Sequence, residues 1–169
     1  MDMIFSGRTW LFGNDVDTDH IIPARYLQIK EVGEMSRHCF TDIRPEFAAE
    51  CKPGDILVAG KNFGCGSSRQ FAPLVIRACG ISCVVAESFS RLFLRNAVNM
   101  GFPAVELPLS RKLIREGDII TVDAIESRIV NESRGEVYET IPIPSFMRGI
   151  YEAGGLEGHI RERLKAAIK

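Results

Sequence analysis

The chain has no CxxC pair, only three histidines, no repeat and no low-complexity tract. Its five cysteines, Cys39, Cys51, Cys65, Cys79 and Cys83, are odd in number and unpaired in spacing. A disulfide framework is therefore excluded as the organising element, and reduced thiols are expected. His20, His38 and His159 are scattered. A zinc site needs about four closely placed ligands, so no metal site built by this chain alone is expected. Neither charge is in excess: 21 Lys and Arg against 22 Asp and Glu leave a formal net charge of −1. That balance gives no electrostatic reason for a nucleic acid or an anionic membrane as partner. No apolar run reaches the ~18 residues of a membrane-spanning helix. The opening Met1 to Arg8 lacks the basic and then apolar layout of a signal peptide, and a cytoplasmic location is the expectation.

What is present is an ordinary globular composition, 46% hydrophobic over 169 residues, enough for one domain spanning 1–169. Thr9 to Phe12 reads as a strand. Asp15, Asp17 and Asp19 beside Gly13 and Asn14 read as a loop. Val32 to Cys51 is helical in pieces, with Met35, Cys39 and Ile43 on one face at i, i+4, i+8 spacing. Pro45 suits the first turn of a second short helix. The apolar runs 55–59, 81–86 and 102–107 read as buried strands. Between them lie a helix from about Gln70 to Cys79 and another N-capped by Ser88, with Phe89, Leu92, Phe93, Ala97 and Met100 on its apolar face. Strand–helix–strand–helix–strand order predicts parallel pairing. Pro73 is tolerated only in a first helical turn, so that helix starts near Ser68 to Gln70. The last third holds short β-branched runs at 118–122, 128–130 and 137–141, expected to form a small antiparallel sheet. A C-terminal amphipathic helix is marked by Ile160, Leu164 and Ile168.

The strongest site signal is Gly64-Cys65-Gly66-Ser67-Ser68-Arg69, a strand-to-helix turn. Free backbone N–H groups and the positive helix end favour an anion there. Gly64 and Gly66 permit close approach of a ligand to the backbone. Ser67 and Ser68 offer hydroxyls, and the Arg69 fork suits a carboxylate or phosphate. The plainer alternative is a turn with Ser68 as cap and Arg69 as a solvated charge. No GxxxxGK[ST] loop or Gly-x-Ser-x-Gly elbow is present, which disfavours a nucleotide and a serine nucleophile. Ser67 is instead a candidate base, because a helix N-terminus and an arginine stabilise an alkoxide. Cys65 reads as a small residue filling the turn rather than a reactive thiol. Asp19-His20 is either part of a solvated turn or an acid–base or orienting pair, and sequence alone does not bring it to Ser67.

The segments Asp15–Leu27, Asn62–Arg69, Ala86–Phe93 with Arg95-Asn96-Ala97, and Ala153–Leu156 resemble the small subunits of 3-isopropylmalate dehydratase. That family corresponds to the swivelling domain of aconitase. The resemblance covers nearly the whole chain and implies an α/β fold, a three-layer β/β/α domain with a mixed sheet. It also implies a hydro-lyase subunit active only with a large partner that carries a four-iron four-sulfur cluster. The chain itself would bind no cofactor, and the substrate would be a 2-hydroxy dicarboxylate, 2-isopropylmalate. On the same grounds Ser67 matches the catalytic base, Arg69 the carboxylate-binding arginine, Ser68 a binding hydroxyl and Asp19 an active-site aspartate. Where relatives that process tricarboxylates can carry an arginine, this chain has Gln28-Ile29, which suits an aliphatic branch. Arg25 and Lys30 stand close by. Homoaconitate, citraconate or methylmalate, and dimethylmalate are the alternative substrates, and a non-catalytic anion-binding module is the alternative outside the reaction class.

Overall fold

The computed structural model describes residues 3–67 and 70–168. Among these residues seven strands form one sheet in the order β4-β3-β2-β1-β5-β6-β7. They are β1 Ile4–Leu11, β2 Ile56–Ala59, β3 Cys83–Ala86, β4 Ala104–Glu106, β5 Ile119–Asp123, β6 Arg128–Asn131 and β7 Glu136–Glu139. The helices are α1 Thr18–Ile21, α2 Val32–Met35, α3 Phe47–Glu50, α4 Phe71–Ala78, α5 Arg91–Asn99, α6 Ser110–Leu113, α7 Ser145–Glu152 and α8 Leu156–Ala167. β1 is the seam of the sheet. Its first part, Ile4 to Arg8, pairs antiparallel with β5, and its last part, Thr9 to Leu11, pairs parallel with β2. β2, β3 and β4 continue in parallel, whereas β5, β6 and β7 are antiparallel.

Two apolar clusters define the layers. On one face of the parallel strands, Trp10, Leu57, Ala59, Val84 and Ala86 pack against Ile21, Met35, Phe47, Val75, Ile76 and Phe93 from the helices. On the other face, Ile56, Val58, Cys83 and Val85 meet Ile120, Val122 and Ile129 of the antiparallel strands, with Tyr151 of α7. Alternate residues of β2 and β3 thus point into different clusters, as the period-2 geometry of a strand requires. The antiparallel part covers one face and the helices the other, giving the expected β/β/α order.

Several elements differ from expectation. β1 begins at Ile4, not Thr9, because its first half finds β5 as partner. α5 is capped by Ser90, whose Oγ accepts from Phe93 N at 3.2 Å. Ser88 instead accepts from Asn62 N at 2.8 Å. Met35 and Cys39 are buried, but Ile43 is 44% exposed. The helical run ends at Cys39, and Phe40 turns with φ +58, so Ile43 does not continue that face. Pro45 lies just outside α3, whose N-cap position is Glu46. α4 starts at Phe71, with Gln70 already near helical angles and Pro73 inside the first turn. Ile160 and Leu164 of α8, and Ile168 at its end, are exposed.

Candidate active site

β1 and β2 are neighbours running the same way, so the loops that leave their carboxyl ends emerge side by side. This is the edge where ligands bind in parallel α/β sheets. The two exits are joined by backbone bonds: Gly60 N to Gly13 O at 3.0 Å, Asp15 N to Lys61 O at 2.9 Å, Gly64 N to Val16 O at 2.8 Å and Thr18 N to Cys65 O at 2.8 Å. Side chains add Lys61 N to Asn14 Oδ1 at 2.9 Å and Asn62 Nδ2 to Asp15 Oδ1 at 3.1 Å. The exit of β3 joins from the other side, through Phe63 N to Ser88 O at 3.0 Å and Ser90 Oγ to Gly64 O at 2.8 Å. Motifs some fifty residues apart in sequence are thereby brought together by strand order.

The acidic segment is structured. Asp17 caps α1: its carboxylate accepts from His20 N at 2.8 Å, while His20 Nδ1 accepts from Asp17 N at 3.2 Å. His20 therefore engages Asp17. Asp19, exposed, accepts from Ala24 N at 3.1 Å through Oδ1 and so supports the following 3-10 turn, Ala24–Tyr26. Ser67 is exposed, and its carbonyl accepts from the Thr18 hydroxyl at 3.1 Å. The two hydroxyl oxygens lie 3.4 Å apart. Ser68 and Arg69, the expected binding hydroxyl and carboxylate-binding arginine, lie outside the described residues. At Gly66 a Cβ would stand 3.4 Å from both Asp17 Cβ and Thr18 Oγ1, so this glycine lets the loop lie close on the α1 entry.

Cys65 lies half buried in the turn, and burial pushes its thiol up, with the Asp17 and Asp15 carboxylates adding to the shift. That direction fits a turn-filling thiol rather than a reactive thiolate. The remaining thiols suit a cluster or metal no better. Cys83 is fully buried in β3, and burial holds it protonated. The Cys51 thiol donates to the Cys79 carbonyl and the Cys79 thiol to the Ser36 carbonyl, each at 3.3 Å, and the neighbouring cysteine first and burial after it push both thiols up. Among the described residues no group of three or more His, Cys, Asp or Glu side chains is placed to hold a metal ion.

The specificity candidates follow α1. Gln28 is exposed, whereas Ile29 is half buried against the helical-side core. Arg25 is committed to Asp42, to which Nη1 donates at 2.9 Å, and stacks 4.6 Å over Tyr26. Tyr26 lies flat on His38 at 3.9 Å. The Arg25 guanidinium holds the Asp42 carboxyl below its usual range. Sequence reasoning missed Thr18, the residue whose side chain touches Ser67. The available signal was a hydroxyl residue between Asp17 and Asp19, directly after the cap.

The family described as the aconitase C-terminal domain matches residues 15–110. The 3-isopropylmalate dehydratase small subunit of Moorella thermoacetica is 49% identical over 166 residues, covering 98% of this chain and 100% of that protein. The isopropylmalate/citramalate isomerase small subunit of Methanocaldococcus jannaschii is 47% identical, over 97% of this chain and 98% of its own. A crystal structure of 3-isopropylmalate dehydratase from Methanocaldococcus jannaschii superposes with a TM-score of 0.92 at 39% identity, covering 98% of both chains. Fold, strand-exit site and matched family together define a swivelling domain of the aconitase class, with the role of an enzyme subunit. Within that class, the chain belongs to the family of 3-isopropylmalate dehydratase small subunits.

Proposed function

We propose that this chain is the small subunit of a two-chain hydro-lyase that isomerises 2-isopropylmalate to 3-isopropylmalate in leucine biosynthesis. The observation that carries the reading is the meeting of Asp15–His20 with Asn62–Ser67 at the carboxyl ends of β1 and β2. In this reading Ser67 Oγ takes the proton α to a substrate carboxylate. The C–H electrons form the double bond as the hydroxyl leaves the neighbouring carbon, and water then adds back with the positions of H and OH exchanged. Arg69 and Ser68 receive a carboxylate, Gly66 keeps the backbone open to it, and Asp19 borders the site. The donor set among the described residues does not fit an iron–sulfur cluster, which needs thiolates free to point at one centre. In this reading the four-iron four-sulfur cluster of the reaction class belongs to the large partner.

A second substrate, citramalate, is favoured by one observation: a relative 47% identical over nearly its whole length bears both substrates in its name. The test is turnover of a substrate panel by the complex reconstituted with its large subunit, beside the isolated chain. The expected result is turnover of branched malates by the complex and none by the chain alone. Activity of the chain by itself would overturn the two-chain reading. Gln28 supplies no charge for a third carboxylate, whose desolvation costs several kcal/mol unless a cation receives it. Gln28→Arg is expected to shift the kcat/KM ratio toward homoaconitate and away from isopropylmalate. An unchanged ratio assigns specificity elsewhere.

A further inference from the structure

The geometry points to Thr18 as the positioning residue for Ser67, an inference that rests on the reading of Ser67 as the base. Thr18 is 3% exposed and is the first residue of α1. Its backbone is tied on both sides, N–H to Cys65 O at 2.8 Å and carbonyl to Ile22 N at 3.0 Å. The preceding Asp17 is locked by its reciprocal bonds with His20. Thr18 is thus a fixed platform. Ser67 is exposed and meets that platform through both of its oxygens, the carbonyl at 3.1 Å and the hydroxyl at 3.4 Å.

One hydroxyl proton faces two acceptors, and the protonation state of Ser67 decides between them. With Ser67 neutral, Thr18 donates to the Ser67 carbonyl and can accept the Ser67 Oγ proton. That bond turns the remaining Ser67 lone pairs toward the open side of the loop, where substrate arrives. With Ser67 deprotonated, its Oγ is the stronger acceptor, since hydrogen bonds to an ionised oxygen are about twice as strong as neutral ones. Rotation about one C–O bond delivers the Thr18 proton there. Thr18 therefore aims the base in one state and stabilises its charge in the other, without touching substrate. The β-branch helps, because it leaves the Thr18 side chain few χ1 choices.

The experiment uses the two-chain complex with Thr18→Val, Thr18→Ser, Ser67→Ala and the Thr18→Val/Ser67→Ala pair. Thr18→Val keeps the shape and removes the hydroxyl. It is expected to lower kcat about tenfold to a hundredfold, as misplacement of a reacting group does, with KM unchanged. Thr18→Ser is expected to restore most of kcat. The double variant is expected to fall no further than Ser67→Ala, because the two act as one unit. If Thr18→Val does not fold or assemble, Thr18→Ala carries the same comparison. Wild-type kcat in the hydroxyl-free variant overturns the inference. So does a loss confined to KM, a failure of Ser to rescue, or a further fall in the double variant. Ser67→Ala separates the two levels. If it turns over normally, the base reading itself fails. If it is inactive while Thr18→Val is normal, only the role of Thr18 fails.

Discussion

β2 and β3 are buried at every residue, whereas β5 and β6 alternate between buried and partly or fully exposed positions, and β7 between half-buried and exposed ones. Both sets belong to one sheet, and the contrast comes from what covers them. The parallel strands lie between the helices and the antiparallel strands, so neither of their faces can carry a polar side chain cheaply. Polar chemistry in that half is displaced to the carboxyl ends, where the Asn14–Thr18 and Lys61–Ser67 loops emerge. The antiparallel half has a wet face and can hold polar residues along its length, as Arg128, Glu136 and Glu139 do.

The sharpest way to break this contrast is Ser67→Ala in the assembled complex. A loss of about 10²- to 10⁴-fold in turnover is expected for removing a positioned base. The thermal midpoint should stay put, because Ser67 is exposed and its carbonyl still receives Thr18. Retained turnover would show that the chemistry does not lie at this edge.

Next in size is a pair of glycine substitutions, one in each half. Gly64 has φ +79, and a Cβ there would meet Phe93 Cγ at 2.3 Å and Cβ at 2.4 Å. Phe93 cannot yield, being buried with Phe63 edge-on at 5.1 Å and Phe89 stacked at 5.9 Å. Gly64→Ala therefore adds overpacking, about 1–3 kcal/mol, to a left-handed backbone penalty of about 1–2 kcal/mol. Gly135, in the β6–β7 turn, has φ +66 but nothing near a Cβ. Gly135→Ala should cost the backbone penalty alone, about 1–2 kcal/mol. Urea unfolding of both variants gives the difference, and equal costs would mean that the site loop is not packed on α5 as described.

The parallel half was also the more legible half in the sequence. Ile56–Ala59 and Cys83–Ala86 stand out as unbroken apolar runs because both faces are dry. Pro73 marks the start of α4 because proline forbids a helix interior. The errors arise where a local signal had two equal claimants. Ser88 and Ser90 both satisfy the cap rule, and only the bond from Asn62 N draws Ser88 to the neighbouring strand exit. Ile43 has helical spacing, but the turn at Phe40 is a backbone choice that spacing does not encode. The contact between Thr18 and Ser67 was invisible for a related reason. It depends on β1 and β2 being adjacent and parallel, and no residue near Thr18 announces that pairing. α8 shows the converse: its apolar stripe is plain in the sequence, but within this chain it is left exposed.

The smallest expected effect is also the most direct test of the covering argument. Val85 in β3 is fully buried, and its β3 neighbours pair with β2 on one side and β4 on the other. Val85→Thr keeps nearly the same shape but places a hydroxyl among Val58, Val105 and the antiparallel strands. The strand ladders already occupy the backbone groups, so the hydroxyl is expected to lack a full complement of partners, at a cost of about 1–3 kcal/mol. Val137 in β7 has the same side chain and is also in a strand, but it is 62% exposed. There the hydroxyl keeps its water, threonine suits a strand about as well as valine, and Val137→Thr should stay within about 0.5 kcal/mol. Denaturant midpoints at unchanged m-values measure both. A Val137→Thr cost as large as that of Val85→Thr would mean that the outer edge of the antiparallel half is covered in solution, and the two halves would then differ in sequence pattern alone.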